Sequence, residues 1–66
     1  MQVQDRVDVH LVDVRAASRM LGISERTVWR MVKSGELPQP VHVGYSTRWR
    51  IGDLLSYIHN LEPKAN

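Results

Sequence analysis

Three long cationic side chains and one tryptophan fall within eight consecutive residues of this 66-residue chain. The cations are Arg26, Arg30 and Lys33, and the tryptophan is Trp29. At about 100° per residue, the three cations project within about 60° of one another on a helix. Guanidinium and ammonium groups grouped in this way favour a polyanionic ligand. The alternatives are an ordinary solvated helix face, or pairing of Arg26 and Arg30 with Glu25 and Glu36, and such exposed pairs contribute little.

The same segment has an apolar stripe on its other side, which predicts an amphipathic helix. The apolar residues of this stripe are Val28, Met31 and Val32. Ser24 is a favourable N-cap for the helix, and Gly35 is a favourable residue at its end. Trp29 falls on the border between the two stripes, so it either covers a small core or meets a ligand at the edge of the basic face.

A shorter helix is predicted over about residues 14–21. Asp13 is a favourable N-cap, and Gly22 can adopt the positive φ that ends a helix. The apolar residues on one side of this helix are Val14, Ala17, Met20 and Leu21. Two helices joined by a tight turn that contains glycine form a helix-turn-helix. Val28, six positions after Gly22, is a small apolar residue suited to hold the two helices together.

The segment after Gly35 predicts two short strands. Pro38 and Pro40 exclude a helix there. We expect strands over residues 41–43 and 47–51, around a turn formed by residues 44–46. Alternation along these strands predicts core positions for Val41, Val43, Trp49 and Ile51. It predicts exposed positions for His42, Arg48 and Arg50.

A last helix is predicted to open at Gly52 and Asp53 and to stop at Pro63. Its apolar residues are Leu54, Ile58 and Leu61, with Leu55 and Tyr57 beside them. The resulting fold class is mainly α with a small β-hairpin wing, a winged helix-turn-helix. We expect a flexible lead-in over residues 1–10, the domain over residues 11–61 and a short tail over residues 62–66.

Charge is unevenly distributed along the chain, although the formal net charge is only +2. The balance is −2 over residues 1–13, +5 over residues 14–50 and −1 over residues 51–66. The chain has no cysteine, no apolar run long enough to span a bilayer and no apolar signal-peptide core. We therefore expect a cytoplasmic protein with no membrane partner.

Catalysis is not expected from this sequence. His10, His42 and His59 do not share the spacing of metal ligands on a helix, and no glycine-rich phosphate loop is present. Ser24 and Ser46 have no base close to them in the sequence. We predict no catalytic residue, no metal site and no cofactor, and hence not an enzyme.

The second helix has the side chains that a duplex groove requires. Arg26 and Arg30 lie one turn apart, and arginine donates to guanine O6 and N7 in the major groove. Thr27 and Lys33 suit phosphate contacts, as do the free N–H groups at the start of the helix. Arg48 and Arg50 are either ordinary hairpin charges or contacts of a wing with the DNA backbone.

Several motifs in series resemble one family of DNA-binding proteins. They are "LGIS", then "TVWR" followed by "KSGELPQPV", then "RWR" before the final helix. Residues 11–59 resemble the AlpA-like and excisionase-like winged-helix proteins of prophages and integrative elements, distant relatives of the MerR DNA-binding domain. Ser18 departs from the alanine that is frequent in the family.

The resemblance implies a DNA-binding protein that acts as a recombination directionality factor, a transcription regulator or both. Such a cytoplasmic protein is expected to be associated with the nucleoid when bound to DNA. Such proteins bind repeated sites cooperatively, bend DNA and bias a tyrosine integrase toward excision. The family pattern puts groove contacts at Ser24, Arg26, Thr27 and Arg30, backbone contact near Trp29 and wing contact near Arg48. The wing turn lacks the arginine or lysine of many wings, which shifts its expected role to phosphate contact through Tyr45, Ser46, Thr47 and Arg48.

Two alternatives stay open at this point. In one, Trp29 and the basic face dock an acidic partner protein, such as an integrase or a polymerase subunit. In the other, the chain is a domain of a DNA-packaging subunit, although a further oligomerisation region is then expected after the domain. Partner binding without DNA would distinguish the first alternative from a DNA-binding role.

Overall fold

Three helices and a small antiparallel sheet make up residues 10–63, the part of the chain that this computed structural model describes. The elements are, in chain order, β1 (Leu11–Val12), α1 (Val14–Leu21), α2 (Glu25–Ser34), β2 (Val41–Val43), β3 (Ser46–Arg50) and α3 (Ile51–His59). The sheet has the order β1-β3-β2. The predicted winged helix-turn-helix class is confirmed, with β1 as an additional strand. The predicted lead-in and tail lie mainly outside the described residues.

Capping side chains and glycines set the ends of α1 and α2, as the sequence predicts. Asp13 Oδ1 accepts a hydrogen bond from the Ala16 N–H at 2.9 Å and caps α1. Gly22 follows with φ 71° and Gly35 ends α2 with φ 83°, both in the left-handed region that favours glycine. The two-residue link Gly22–Ile23 before the cap Ser24 leaves α1 and α2 as direct neighbours in space.

The core contains one buried hydrophobic residue from each helix, one from β3 and one from the loop after α2. Its buried members are Ala17, Val28, Leu37, Trp49 and Leu54. Val28 is fully buried, which confirms its predicted place between the helices. Ser18 is also buried, and its Oγ donates to the Arg15 carbonyl at 2.8 Å. The serine therefore fits this position because its hydroxyl has a partner inside the helix.

The hairpin register differs from the prediction and reverses the faces of β2. Val43 pairs with Ser46, so the turn contains only Gly44 and Tyr45, and β3 begins one residue earlier than predicted. Directly paired residues share a face of a sheet. Val41 pairs with Arg48 and therefore lies on the face opposite Trp49.

The core positions predicted for Val41 and Val43 are wrong for this reason, and Val43 is 56% exposed. His42 is exposed as predicted but lies on the same face as Trp49. Arg50 is exposed as predicted, and Arg48 is half-buried. A shift of one residue in a hairpin moves a whole strand to the other face.

The last helix starts earlier and ends earlier than predicted. Ile51 is its first residue, not the end of a strand, and its N–H donates to the His10 carbonyl at 2.8 Å. The helix ends at His59, before Pro63 is reached. Leu54 is fully buried as predicted, whereas Leu61 lies beyond the helix and is 57% exposed.

Candidate nucleic-acid interface

The outer face of α2 presents its cations to solvent. Arg26, Arg30 and Lys33 are all exposed, whereas Val28 on the inner side is fully buried. Within residues 10–63, none of the three cations forms an ion pair. The predicted separation of a basic and an apolar side of this helix is thus present in the structure, and its cations are available to an anionic ligand.

The acidic side chains of the domain have partners other than these cations. Glu25 Oε2 lies 3.9 Å from Arg15 Nε, and Asp53 Oδ2 lies 3.8 Å from Arg50 Nη1. Glu36 Oε2 accepts a hydrogen bond from Ser34 Oγ at 2.7 Å. The pairing of Glu25 and Glu36 with the arginines of α2 is therefore not present among the described residues.

The first turn of α2 has one hydroxyl in use as a cap and a second one free to donate. Ser24 Oγ accepts from the Thr27 N–H at 3.0 Å and lies 2.9 Å from Thr27 Oγ1, to which it donates. One hydroxyl proton is used in the bond between these two side chains. The other remains available to a phosphate at this end of the helix.

Trp29 connects α2 to the hairpin. Its ring centroid lies 5.3 Å from that of Trp49, with the ring planes at 56°. Trp49 is fully buried, as predicted, and its Nε1 donates to the Pro38 carbonyl at 3.1 Å. Trp29 keeps 44% of its surface exposed. It therefore packs on the core with one side and leaves the other side open at the edge of the basic face.

The four predicted wing residues differ in their surroundings. Tyr45 and Ser46 are exposed, whereas Thr47 and Arg48 are half-buried. Arg48 Nη1 donates to the Thr47 carbonyl at 2.8 Å. The charge of Arg48 also helps to lower the pKa of Asp13, after the larger effect of the Ala16 N–H. Arg48 is thus oriented by the protein itself, at the base of the hairpin rather than at its tip.

Two residues that position this face are not apparent from the sequence pattern. Leu37 is buried in the loop after α2, where the Leu37 N–H donates to the Met31 carbonyl at 3.2 Å. Gln39 Nε2 donates to the Val32 carbonyl at 2.9 Å. Both fix the loop to the last turn of α2. Neither residue belongs to a helical or alternating sequence pattern, because the loop starts at the end of α2 and contains Pro38 and Pro40.

No cluster of three or more histidine, aspartate or glutamate side chains within residues 10–63 is placed to hold a metal ion. A depression of about 400 Å³ lies between the end of α2 and α3. Glu36 and Asp53 line it, and no cation does, so it does not suit a polyanion. No helix among these residues is long and apolar enough to cross a membrane.

The packed helix pair, the exposed basic face of its second helix and the adjacent hairpin define a winged helix-turn-helix protein. Consistent with this class, the family described as "Helix-turn-helix domain" matches residues 11–61. The chain belongs to this helix-turn-helix family, whose domain binds DNA in a sequence-specific manner and is typically not enzymatic. No curated protein and no solved structure matches the chain.

Proposed function

We propose that this protein is a recombination directionality factor of a mobile genetic element, with or without a role as a transcription regulator. The observation that carries the proposal is the exposed cation face of α2, which has no ion-pair partner within residues 10–63. The AlpA-like and excisionase-like sequence motifs supply the recombination context. The partners are double-stranded DNA and a tyrosine integrase.

In this proposal α2 lies in the major groove. Arg26 and Arg30 donate to base edges, since each arginine can form two hydrogen bonds with one guanine. Phosphate contacts come from the start of α2, the last turn of α2 and the wing. The residues assigned to these contacts are Ser24, Thr27, Lys33, Ser46, Thr47 and Arg48. Trp29 lies against the sugar-phosphate backbone with its open side.

Cooperative binding follows from the size of the domain. A single module of this kind buries roughly 600–1,000 Å² on DNA, which gives modest affinity alone. Copies on adjacent repeated sites would increase occupancy by contacting one another, and the bent DNA would bring integrase sites together. The chain segments assigned to contacts between copies are residues 1–12 and the tail after Leu61.

The first experiment tests DNA binding and its sequence preference. A duplex is enriched from a random-sequence pool by the chain, and its retention is compared with that of a scrambled duplex over a range of salt. We expect salt-sensitive binding, and we expect the difference in binding free energy between the enriched and the scrambled duplex to fall in Arg30→Ala by roughly 1–3 kcal/mol. Arg50→Ala is the matched control, because it removes the same charge from a residue that pairs with Asp53.

The second experiment tests the role in recombination. A supercoiled substrate with the attachment sites of the element is incubated with its tyrosine integrase, with and without the chain. We expect excision product only when the chain is present. Binding of the duplex without any effect on excision would restrict the role to transcription. Binding of the integrase with no retention of any duplex would instead favour a protein-interaction module.

A further inference from the structure

The tip of the hairpin exposes apolar side chains and has no charge. Residues 43–47 contain no cation and no acid. Tyr45 has a relative exposure of 106%, and Val43 is 56% exposed. A side chain this exposed has almost no contact with the rest of the described domain, so packing does not account for an aromatic ring at this position.

The turn itself does not require a tyrosine. The loop between the paired residues Val43 and Ser46 has two residues, and only Gly44 has positive φ, at 63°. Glycine in the first position is the pattern of a type II′ turn, and small polar residues commonly follow it. The ring of Tyr45 is therefore a feature of the surface that neither the core nor the turn explains.

The hairpin tip is held at a distance from α2 that suits a neighbouring groove. Trp49 on β3 contacts Trp29 at the edge of α2. Tyr45 is four residues before Trp49, so it lies about 13 Å along the strand from this contact. Half a turn of B-DNA, which separates a major groove from the next minor groove along one side, is about 17 Å. The length of the hairpin beyond the Trp29–Trp49 contact is thus of the same order as the spacing of the grooves, so a tip that extends along the duplex axis would lie near the minor groove.

The chemistry of the tip favours base pairs over phosphates. A phosphate contact would gain from a cation, and the cations of this region are on α2 and at the base of the hairpin, at Arg48. An aromatic ring stacks on the face of any base, and apolar wedges in the minor groove unstack a base step and kink the duplex. An uncharged tip with one fully exposed ring is therefore suited to act as such a wedge.

We propose that Tyr45 enters the minor groove beside the α2 site and stacks on an opened base step, and that this wedge produces the DNA bend. The inference rests on the proposed DNA-binding function and specifies how the wing takes part in it. In this proposal Tyr45 contacts a base through the face of its ring, in place of the phosphate contact that the sequence predicts for this residue.

The test uses the duplex enriched from a random-sequence pool by the chain, with 2-aminopurine placed at successive adenines on both sides of the α2 footprint. We expect saturating wild-type protein to raise the fluorescence at one step and to shorten the distance between dyes at the two ends. Tyr45→Ala abolishes both signals and weakens binding by between about 5-fold and about 150-fold. Tyr45→Phe keeps both signals, because the ring is retained. Leu55→Ala is the matched control, since Leu55 is an exposed apolar residue on α3 at 43% exposure.

Each other outcome has a defined meaning. If Tyr45→Phe loses both signals as Tyr45→Ala does, the hydroxyl makes the contact and the stacking proposal is overturned. If wild-type protein retains the duplex but the 2-aminopurine fluorescence changes at no step, the ring does not enter the duplex. The same conclusion follows if Tyr45→Ala behaves as wild type. Either result is expected for a tip that docks a protein. If wild-type protein retains no duplex, the proposed function itself fails, and the wedge fails with it.

Discussion

The ring of Trp29 on α2 lies against the buried ring of Trp49 on β3, with centroids 5.3 Å apart. This contact joins the helix that presents the cations to the strand that leads to the hairpin tip. Trp49 is also fixed to the loop between them, through its hydrogen bond to the Pro38 carbonyl. The aromatic pair and this hydrogen bond therefore both contribute to the angle between α2 and the wing.

We expect the two tryptophans to be coupled in stability. Trp49→Phe should lower the free energy of unfolding by about 1–3 kcal/mol, because it opens space in the core and leaves the Pro38 carbonyl without its donor. A double-mutant cycle that combines Trp49→Leu with Trp29→Ala removes both rings and should give a coupling of about 0.5–1.5 kcal/mol. Urea unfolding followed by far-UV circular dichroism measures both. Additive effects of the two substitutions would mean that the ring contact contributes nothing.

The cap of α2 gives a second prediction. Ser24→Ala should destabilise the domain by about 1 kcal/mol, because the Thr27 N–H loses its acceptor at the start of the helix. Ser24→Asn should recover most of this loss, since asparagine caps equally well. The urea unfolding midpoints of the wild type, Ser24→Ala and Ser24→Asn measure these differences in stability. Equal stability of the alanine and asparagine variants would argue against a capping role for this side chain.

Lys33 and Arg30 should have different effects on DNA binding. Lys33 is exposed in the last turn of α2 and is assigned to a phosphate. Lys33→Ala should weaken binding about equally for enriched and scrambled duplexes and reduce the slope of log affinity against log salt by about 1. Lys33→Arg, which keeps the charge, should retain the slope. A loss confined to the enriched duplex would instead assign Lys33 to a base.

Asp13 predicts a specific dependence of stability on pH. Its pKa is lowered below the ordinary value of 3.8, first by the Ala16 N–H, against an opposing effect of burial, and further by Arg48, Arg15 and Arg19. A carboxyl whose pKa is lower in the folded protein stabilises the fold above its unfolded pKa. That contribution is lost as the pH falls through the folded value.

Asp13→Asn tests this dependence, because asparagine keeps the cap and cannot titrate. Thermal melts of both proteins from about pH 6 to about pH 2 should show a smaller loss of stability on acidification in the variant. The difference between the two proteins should develop below about pH 4, where the unfolded carboxyl begins to take up protons. Parallel curves over the whole range would show that Asp13 contributes no pH dependence.

Local interactions made the helix-turn-helix predictable from the sequence. Asp13, Ser24, Gly22 and Gly35 act within one turn of their own helix, so their types are enough to place the ends of α1 and α2. The opposition of Val28 to the cations of α2 follows from helical geometry alone. For the same reason the sequence indicated which side chains of α2 would be available to a ligand.

Only the tertiary structure decided the hairpin and the loop that leads into it. The register between β2 and β3 depends on whether the turn has two residues or three, and this sequence permits both, so the side on which Val41 lies was settled by strand pairing. The burial of Leu37 and the contact of Trp29 with Trp49 likewise require elements far apart in the chain to meet. Capping and helical periodicity act over three or four residues and can be read from the chain. Sheet register and core packing depend on contacts between segments that are distant in the chain. These contacts form only in the folded protein, so local sequence patterns do not predict them.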